Sequence, residues 1–99
     1  MIRHIVSWNF NEEVSNEKKK IIALELKQKF ADLENMIDGL SYIDLEINLL
    51  PSSNKDIALN TLFTDIESLN NYQDHPAHKA IGEFFKPYLS NRVCIDFVE

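Results

Sequence analysis

The order of two hydrophobic periodicities constrains the fold of this chain more than any other feature. Apolar residues alternate with polar ones in four stretches, residues 2–10, 40–50, 57–63 and 91–98. Such alternation is typical of strands that bury one face. Apolar residues recur at helical spacing between the first and second stretches, and again between the third and fourth. The order strand–helix–strand–strand–helix–strand predicts a ferredoxin-like α+β fold, with helices on one face of a four-stranded antiparallel sheet.

The predicted helices are bounded by residues that favour helix ends. Ser15 is placed to cap a first helix over Asn16–Ile37, and Gly39 is a natural stop after it. Thr64 and Glu67 have the spacing of a capping box, which predicts the start of the second helical region.

The face of the sheet turned away from the helices is predicted to carry charges of both signs. The alternation leads us to place five charged side chains on this second face, namely Arg3, Asp44, Glu46, Arg92 and Asp96. Such a face is either a solvated surface or an interface at which two copies of the chain meet through the same patch.

Length and composition exclude several classes of function. The chain has 99 residues, which fit a single domain over residues 1–99. The formal net charge of −6 argues against nucleic acid as a partner, because phosphate-binding proteins need a basic face. No apolar run approaches the roughly 18 residues of a membrane span. The single cysteine, Cys94, suits a reducing cytoplasm, which is the expected location.

The segment DHPAHKAIGEFF, residues 74–85, contains the strongest candidate for a functional site. Pro76 is unfavourable inside a helix but favourable in its first turn, so the second helical region is expected to break near His75 and restart at Pro76. A helical wheel drawn from Pro76 places His78 among the apolar residues that face the sheet. Gly82 lies one turn later and costs roughly 1 kcal/mol relative to alanine, which indicates either close packing or empty space beside His78.

Two further side chains are expected to approach His78. Tyr72 ends the preceding helical piece, and His4 lies on the core-facing side of the first strand. A phenol can donate a hydrogen bond to a carbonyl oxygen while an imidazole removes the neighbouring proton, so His78, Tyr72 and His4 are the candidate catalytic residues. The candidate ligand-binding residues are their inward-facing neighbours Val6, Trp8, Ile81, Gly82 and Phe85. The alternative is a group of core residues that only satisfy one another or the backbone.

A metal site is the weaker interpretation of the three histidines. Catalytic zinc needs three protein ligands that converge and leave an open position. His75 and His78 are separated by Pro76, which gives them different local geometries, and no carboxylate or second cysteine is predicted to join them or His4. We therefore expect no metal and no cofactor.

The chain resembles the stress-responsive A/B barrel (Dabb) family over nearly its whole length. The resemblance begins with MIRHIVSWNF and continues through SYIDLEINLLPSS. It is most specific at YQDHPAH, which precedes RVCIDF near the end of the chain. The resemblance implies a ferredoxin-like protomer that forms a homodimeric barrel through its sheet, so the expected partner is a second copy of the chain.

One plant branch of that family comprises polyketide cyclases, which close a linear polyketide acid by aldol condensation without a cofactor. Their catalytic tyrosine and histidine fall on Tyr72 and His78, a further pocket histidine on His4, and a glycine on Gly82. Trp8 stands where the cyclases have a smaller aliphatic residue, so a narrower pocket is expected here.

The resemblance implies a pocket for a small apolar or aromatic carbonyl compound, with His78 as general base and Tyr72 as hydrogen-bond donor. Two alternatives remain at this point. One is a non-catalytic stress-response or ligand-holding dimer. The other, by analogy of fold alone, is a relative that uses haem or oxygen.

Overall fold

The computed structural model describes all 99 residues and contains the predicted order of elements. In chain order these are β1 (Ile2–Phe10), α1 (Asn16–Ala31), β2 (Leu40–Glu46), β3 (Ile57–Phe63), α2 (Ile66–Asp74), α3 (Pro76–Phe85) and β4 (Leu89–Val98). The strands form one antiparallel sheet in the order β2-β3-β1-β4, which confirms the ferredoxin-like fold. None of the helices is long and apolar enough to cross a membrane.

The core lies between the helices and one face of the sheet. Every second residue of β1 from Ile2 to Trp8 is buried, and β3 alternates in the same way. The predicted apolar stripe of α1 lies against this face through Ile22, Leu26 and Phe30. The strand periodicity therefore predicted the buried face of both central strands.

α1 ends at Ala31 rather than at the predicted Ile37. The chain continues as tight turns whose amides bond three residues back, such as the Met36 amide to the Leu33 carbonyl at 3.0 Å. Leu33 and Ile37 are nevertheless buried. The apolar spacing thus correctly predicted which residues enter the core, but it did not distinguish a regular helix from a series of turns.

The caps of α1 and α2 agree only in part with prediction. Ser15 caps α1 as predicted, since its hydroxyl accepts a hydrogen bond from the Lys18 amide at 3.2 Å. α2 is capped by Asp65 rather than by Thr64, and the Asp65 carboxylate accepts from the Ser68 amide at 2.8 Å. This hydrogen bond lowers the pKa of Asp65. A charged carboxylate is favoured here because it also interacts with the positive end of the helix dipole.

The outer strands differ from the predicted lengths at one end each. β2 ends at Glu46 rather than Leu50 because Glu46 pairs with Ala58, almost at the start of β3, and the following residues have no strand to bond. β4 starts at Leu89 rather than Asn91 because β1 extends far enough to pair with it from that point.

The register of β4 corrects the predicted second face of the sheet. Asp96 pairs with His4 and Cys94 pairs with Val6, so both side chains point to the helix-facing side with their buried partners. Arg92 shares this side by alternation. The prediction that Arg92 and Asp96 lie on the second face is therefore wrong. β4 is an edge strand largely uncovered by the helices, so its helix-facing side is open enough to hold charged groups.

The other side of the sheet, here called the outer face, is more apolar than predicted. The outer row of β4 consists of Val93, Ile95 and Phe97, which are 42 %, 53 % and 44 % exposed. Arg3 and Asp44 remain on this face as predicted, but each is paired within the chain. Arg3 bonds Glu99 at 2.8 Å, and Asp44 bonds Lys27 at 2.9 Å.

Candidate functional site

The break between α2 and α3 sets the direction of His78. α2 ends at Asp74, α3 starts at Pro76, and His75 between them is extended with φ −67° and ψ 135°. His75 Nδ1 accepts a hydrogen bond from the Ala77 amide at 3.0 Å and so caps α3. His75 and Pro76 therefore interrupt and restart the helix as predicted, and His78 lies in the first turn of α3, facing the sheet.

A cavity of about 80 Å³ lies between the sheet and the α2–α3 break, and it is here called the Tyr72–His78 cavity. All three candidate catalytic residues line it: His4, Tyr72 and His78. Three of the five candidate ligand-binding residues also line it, namely Val6, Trp8 and Phe85. The remaining walls come from Phe30, Leu59, Gln73 and Arg92.

Tyr72 and His78 form the centre of this cavity. Their ring centroids are 4.4 Å apart at an interplanar angle of 54°. The Tyr72 hydroxyl and His78 Nδ1 are both buried, and neither has a hydrogen-bond partner. Buried polar atoms are almost always satisfied, and leaving one unsatisfied costs roughly 1–3 kcal/mol. Two such atoms in one cavity indicate a place where a ligand or water supplies the missing bonds.

The protonation states of the two groups suit opposite roles. Burial raises the pKa of the Tyr72 phenol far above its ordinary value, an effect that the positive charge of Arg92 only partly opposes. Burial lowers the pKa of His78, and the nearby Gln73 carbonyl only partly offsets this. At neutral pH the phenol is therefore a proton donor in hydrogen bonds, while the imidazole is neutral and able to accept a proton.

His4 joins the site from β1 in a fixed orientation. It is 2 % exposed, and its ring lies 6.2 Å from that of Tyr72 between centroids. Nδ1 of His4 is hydrogen-bonded to the Asp96 carboxylate. An imidazole that donates from Nδ1 and carries no second proton has Nε2 as its acceptor nitrogen.

Sequence reasoning missed Arg92 and Asp96 as residues of this site. It placed both on the opposite side of the sheet because they alternate with Val93, Ile95 and Phe97, which were predicted to face the core. The signal that would have found them is the antiparallel pairing of β4 with β1, which puts Asp96 across from His4.

Trp8 forms one wall of the cavity without closing it. Its ring lies against Phe85, with centroids 5.1 Å apart, whereas His78 lies against Tyr72. The remaining 80 Å³ is well below the roughly 300–1,000 Å³ of pockets for drug-sized ligands. The cavity therefore has room for a molecule of a few heavy atoms or for one end of a longer one.

Ile81 and Gly82 do not line the cavity. Ile81 lies in a separate depression together with Leu33 and Ala77, on the side of α3 that faces α1. A β-carbon added to Gly82 would have no atom within 4 Å, so close packing is not the reason for a glycine there.

A second, more open groove of about 320 Å³ lies between α2 and the end of β4. Its walls include the apolar side chains of Ile2 and Leu69. Gln73 lines both this groove and the Tyr72–His78 cavity, and Asp96 lines the groove while bonding His4. The groove and the cavity thus lie next to each other and share Gln73 as a wall residue.

Comparisons with known proteins agree with this architecture. Residues 2–99 match the family model described as the stress responsive A/B barrel domain. An uncharacterised protein from Streptomyces coelicolor is 30 % identical over 81 residues, which is 81 % of each chain. A dimeric ferredoxin-like protein of unknown function from Bacteroides fragilis is 26 % identical, with a TM-score of 0.90 over 97 % of this chain and 93 % of that one.

A hydroxynitrile lyase from Passiflora edulis has the same fold, with a TM-score of 0.78 at 16 % identity over 99 % of this chain and 92 % of that one. At that identity the likeness concerns the fold alone. The match over residues 2–99 is what identifies the family, and this chain belongs to the stress responsive A/B barrel domain family.

Proposed function

We propose that the chain forms a homodimer in which each protomer holds a small carbonyl compound in the Tyr72–His78 cavity and moves a proton on it without a cofactor. One observation carries this proposal: the Tyr72 hydroxyl and His78 Nδ1 are buried, lack protein partners and belong to residues that line the same cavity. A protein core without a function would normally satisfy these atoms.

The chemistry follows from the protonation states. The Tyr72 hydroxyl donates a hydrogen bond to the carbonyl oxygen, and neutral His78 accepts a proton from the neighbouring carbon at Nδ1. The electron pair of the broken C–H bond passes to the oxygen, which Tyr72 stabilises as an enolate. Return of the proton to another carbon isomerises the compound. Alternatively, the enolate carbon attacks a second carbonyl of the same compound and closes a ring, and the proton held by His78 passes to the oxygen of that second carbonyl. Acid–base catalysis of this kind contributes typically 10²–10⁴-fold.

The shape of the site supports a ligand that enters by its reactive end. The cavity of about 80 Å³ admits a carbonyl group and its neighbours, and the adjoining groove of about 320 Å³ accommodates a longer apolar part. His4, held by Asp96, is placed to orient the reactive end through its Nε2. This arrangement favours small apolar or aromatic carbonyl compounds.

The outer face supports the homodimer. Val93, Ile95 and Phe97 form an exposed apolar row there, and such patches mark interfaces when they are contiguous. The Bacteroides fragilis protein of the same fold is described as dimeric. Contact between two outer faces would bury this row in both protomers while leaving the Tyr72–His78 cavity, on the opposite side of the sheet, accessible.

A ligand-holding dimer without catalysis is the second candidate, and the small volume of the cavity favours it. Trp8 and Phe85 occupy space that a larger substrate would need. In that function Tyr72 and His78 bind the ligand but do not transform it.

Exchange of carbon-bound protons with solvent separates the two candidates. A panel of small aliphatic and aromatic ketones, diketones and aldehydes is incubated with the protein in D₂O, and deuterium incorporation next to the carbonyl is followed by NMR. The wild type is expected to exceed the buffer rate, and His78→Gln is expected to lose the 10²–10⁴-fold contribution of a general base. His75→Asn is the matched control, because it removes an imidazole outside the cavity and keeps a good helix cap.

Three results would contradict proton transfer in the Tyr72–His78 cavity. Binding of a panel compound without any exchange above buffer would leave the ligand-holding function. Equal loss of exchange in His75→Asn and His78→Gln would show that the reaction does not depend on the cavity. If no compound in the panel binds and none exchanges its protons above the buffer rate, both candidate functions are ruled out.

A further inference from the structure

Three side chains with different metal-binding atoms converge where β4 meets β1. His4 Nδ1, Cys94 Sγ and a carboxylate oxygen of Asp96 all lie within 4.8 Å of one another. We propose that His4, Cys94 and Asp96 form a binding site for Zn²⁺ beside the Tyr72–His78 cavity. This site does not depend on whether the cavity acts on carbonyl compounds.

The strand register explains why these residues meet. Cys94 and Asp96 are two positions apart on β4, so their side chains leave the strand on the same side. Antiparallel pairing with β1 puts Asp96 directly across from His4 and puts Cys94 across from Val6. The sequence analysis predicted that no carboxylate would join His4, because it placed Asp96 on the opposite face of the sheet.

The two distances from sulfur match those between ligands of one zinc ion. Cys94 Sγ lies 3.7 Å from His4 Nδ1 and 3.6 Å from Asp96 Oδ2. Bond lengths of about 2.0–2.1 Å to nitrogen, 2.0–2.2 Å to oxygen and 2.3 Å to sulfur, at tetrahedral angles, separate sulfur from each other ligand by roughly 3.5–3.6 Å. Both sulfur distances therefore already fit a tetrahedral site, whereas the hydrogen-bonded His4 Nδ1 and Asp96 Oδ1 would have to move apart to bind the same ion.

The ligand types and their exposure favour zinc over other common divalent cations. A thiolate with an imidazole suits Zn²⁺, whereas Mg²⁺ and Ca²⁺ prefer sites made of oxygen atoms. His4 is buried and its backbone carbonyl accepts a hydrogen bond from the Thr61 hydroxyl at 2.7 Å, so one ligand is rigidly held. Cys94 and Asp96 are exposed, so the ion can enter from solvent and keep a fourth position for water.

Binding has a defined proton balance. In the metal-free protein His4 Nδ1 donates to Asp96, and the Cys94 thiol donates to Asp96 Oδ2 at 3.6 Å. Coordination moves the imidazole proton from Nδ1 to Nε2 and releases the thiol proton to solvent, so about one proton leaves per ion. Zinc would also convert His4 Nε2 from an acceptor to a donor on the cavity side.

Calorimetric titration of the dimeric protein with Zn²⁺ tests the site, with a phosphine reductant to keep Cys94 reduced. The expected result is one ion per chain, with affinity at least tenfold weaker in Cys94→Ser and in Asp96→Asn. Titration with Co²⁺ gives a second readout, since thiolate ligation produces a sulfur-to-cobalt charge-transfer absorption that Cys94→Ser should abolish. His75→Asn is the control and should bind like the wild type.

Unfolding curves of the variants show whether they fold, and Cys94 is exposed, so serine there is not expected to disturb the core. The proposal is overturned if the wild type binds no Zn²⁺ at micromolar concentration. It is also overturned if Cys94→Ser and Asp96→Asn bind like the wild type, or if only His75→Asn loses binding.

Discussion

Thr61 and Tyr72 are both buried residues with a hydroxyl group, but only one of the hydroxyls is satisfied. The Thr61 hydroxyl donates to the His4 carbonyl at 2.7 Å, whereas the Tyr72 hydroxyl has no partner. A phenylalanine would fill the same space as Tyr72 without that penalty. The phenol therefore makes no visible contribution to folding, and its contribution is expected in what the cavity binds.

This contrast predicts opposite effects of removing the two hydroxyls. Tyr72→Phe is expected to leave the free energy of unfolding unchanged or to raise it by about 1 kcal/mol, because it deletes an unsatisfied polar atom. Thr61→Val is expected to lower it by about 1 kcal/mol, because it breaks a hydrogen bond. Urea unfolding measures both. A loss in Tyr72→Phe as large as that in Thr61→Val would mean that the phenol is a structural group.

The pH dependence of stability should carry the signature of His78. Burial lowers the pKa of His78 in the folded protein. As the pH falls below roughly 6.5, the histidine is therefore protonated in the unfolded chain while it is still neutral in the folded one. The free energy of unfolding is therefore expected to decrease from about pH 6.5 down to the folded pKa. The lowered pKa values of Asp65 and Glu99 act in the same direction but only at more acidic pH.

Denaturant unfolding of the wild type and His78→Gln at several pH values between about 7.5 and 5 checks this sign. The stability difference between the two proteins should shrink or reverse as the pH falls. An identical pH dependence in both would contradict the burial of a neutral His78.

At the scale of elements, local chemistry predicted most of the fold, and long-range pairing decided the rest. β1 and β3 have their predicted bounds because apolar alternation directly reports their buried face. Pro76 predicted the helix break because proline restricts its own φ and lacks an amide proton. The side of the sheet taken by Asp96 was not predictable in this way, because alternation shows which residues share a face but not which face is covered.

Periodicity likewise predicted some residues of the candidate site correctly and others wrongly. Tyr72, His78 and His4 were identified from helical and strand periodicity, and the structure brings all three to one cavity. Ile81 has the same helical periodicity but faces α1 across a different depression. Which neighbour a buried side chain of α3 faces depends on how α3 packs against the sheet and α1. The sequence of α3 alone does not specify this packing.

The two glycines of the chain provide a test of element geometry. Gly39 has φ +81°, and a β-carbon there would lie 2.0 Å from the Ser68 hydroxyl, so Gly39→Ala should destabilise the protein by more than about 1 kcal/mol. Gly82 lies inside α3 with no atom near its missing β-carbon, so Gly82→Ala should stabilise by roughly 0.5–1 kcal/mol. Thermal unfolding measures the stability change of both variants. Equal changes in Gly39→Ala and Gly82→Ala would contradict the described packing.

At the scale of the whole molecule, β4 leaves apolar side chains of the isolated protomer exposed to water. Every residue from Asn91 to Glu99 is exposed, including the apolar row of the outer face. A sheet edge that exposes apolar residues to water tends to associate with another chain. A homodimer through the outer face would bury that row.

Lysine substitutions on opposite sides of β4 test this interface. Ile95→Lys places a charge on the outer face and is expected to convert the proposed dimer to monomers at micromolar concentration. Val98→Lys is the matched control, because Val98 is 80 % exposed and, pairing with Ile2, lies on the helix-facing side of the same strand. Sedimentation velocity distinguishes the two. A monomeric wild type, or dissociation by Val98→Lys but not by Ile95→Lys, would argue against the proposed interface.

The most direct test of the central claim, that the Tyr72–His78 cavity binds a ligand through its unsatisfied groups, is a fluorescence titration of Trp8. Trp8 is the single tryptophan of the chain and forms a wall of the cavity, so an occupant should change its emission. We expect at least one small aromatic or aliphatic carbonyl compound to give a saturable change in the wild type and in Tyr42→Phe, which alters an exposed tyrosine. Binding should be at least tenfold weaker in Tyr72→Phe. Equal affinity in Tyr72→Phe and Tyr42→Phe, or no saturable change with any compound, would contradict the claim.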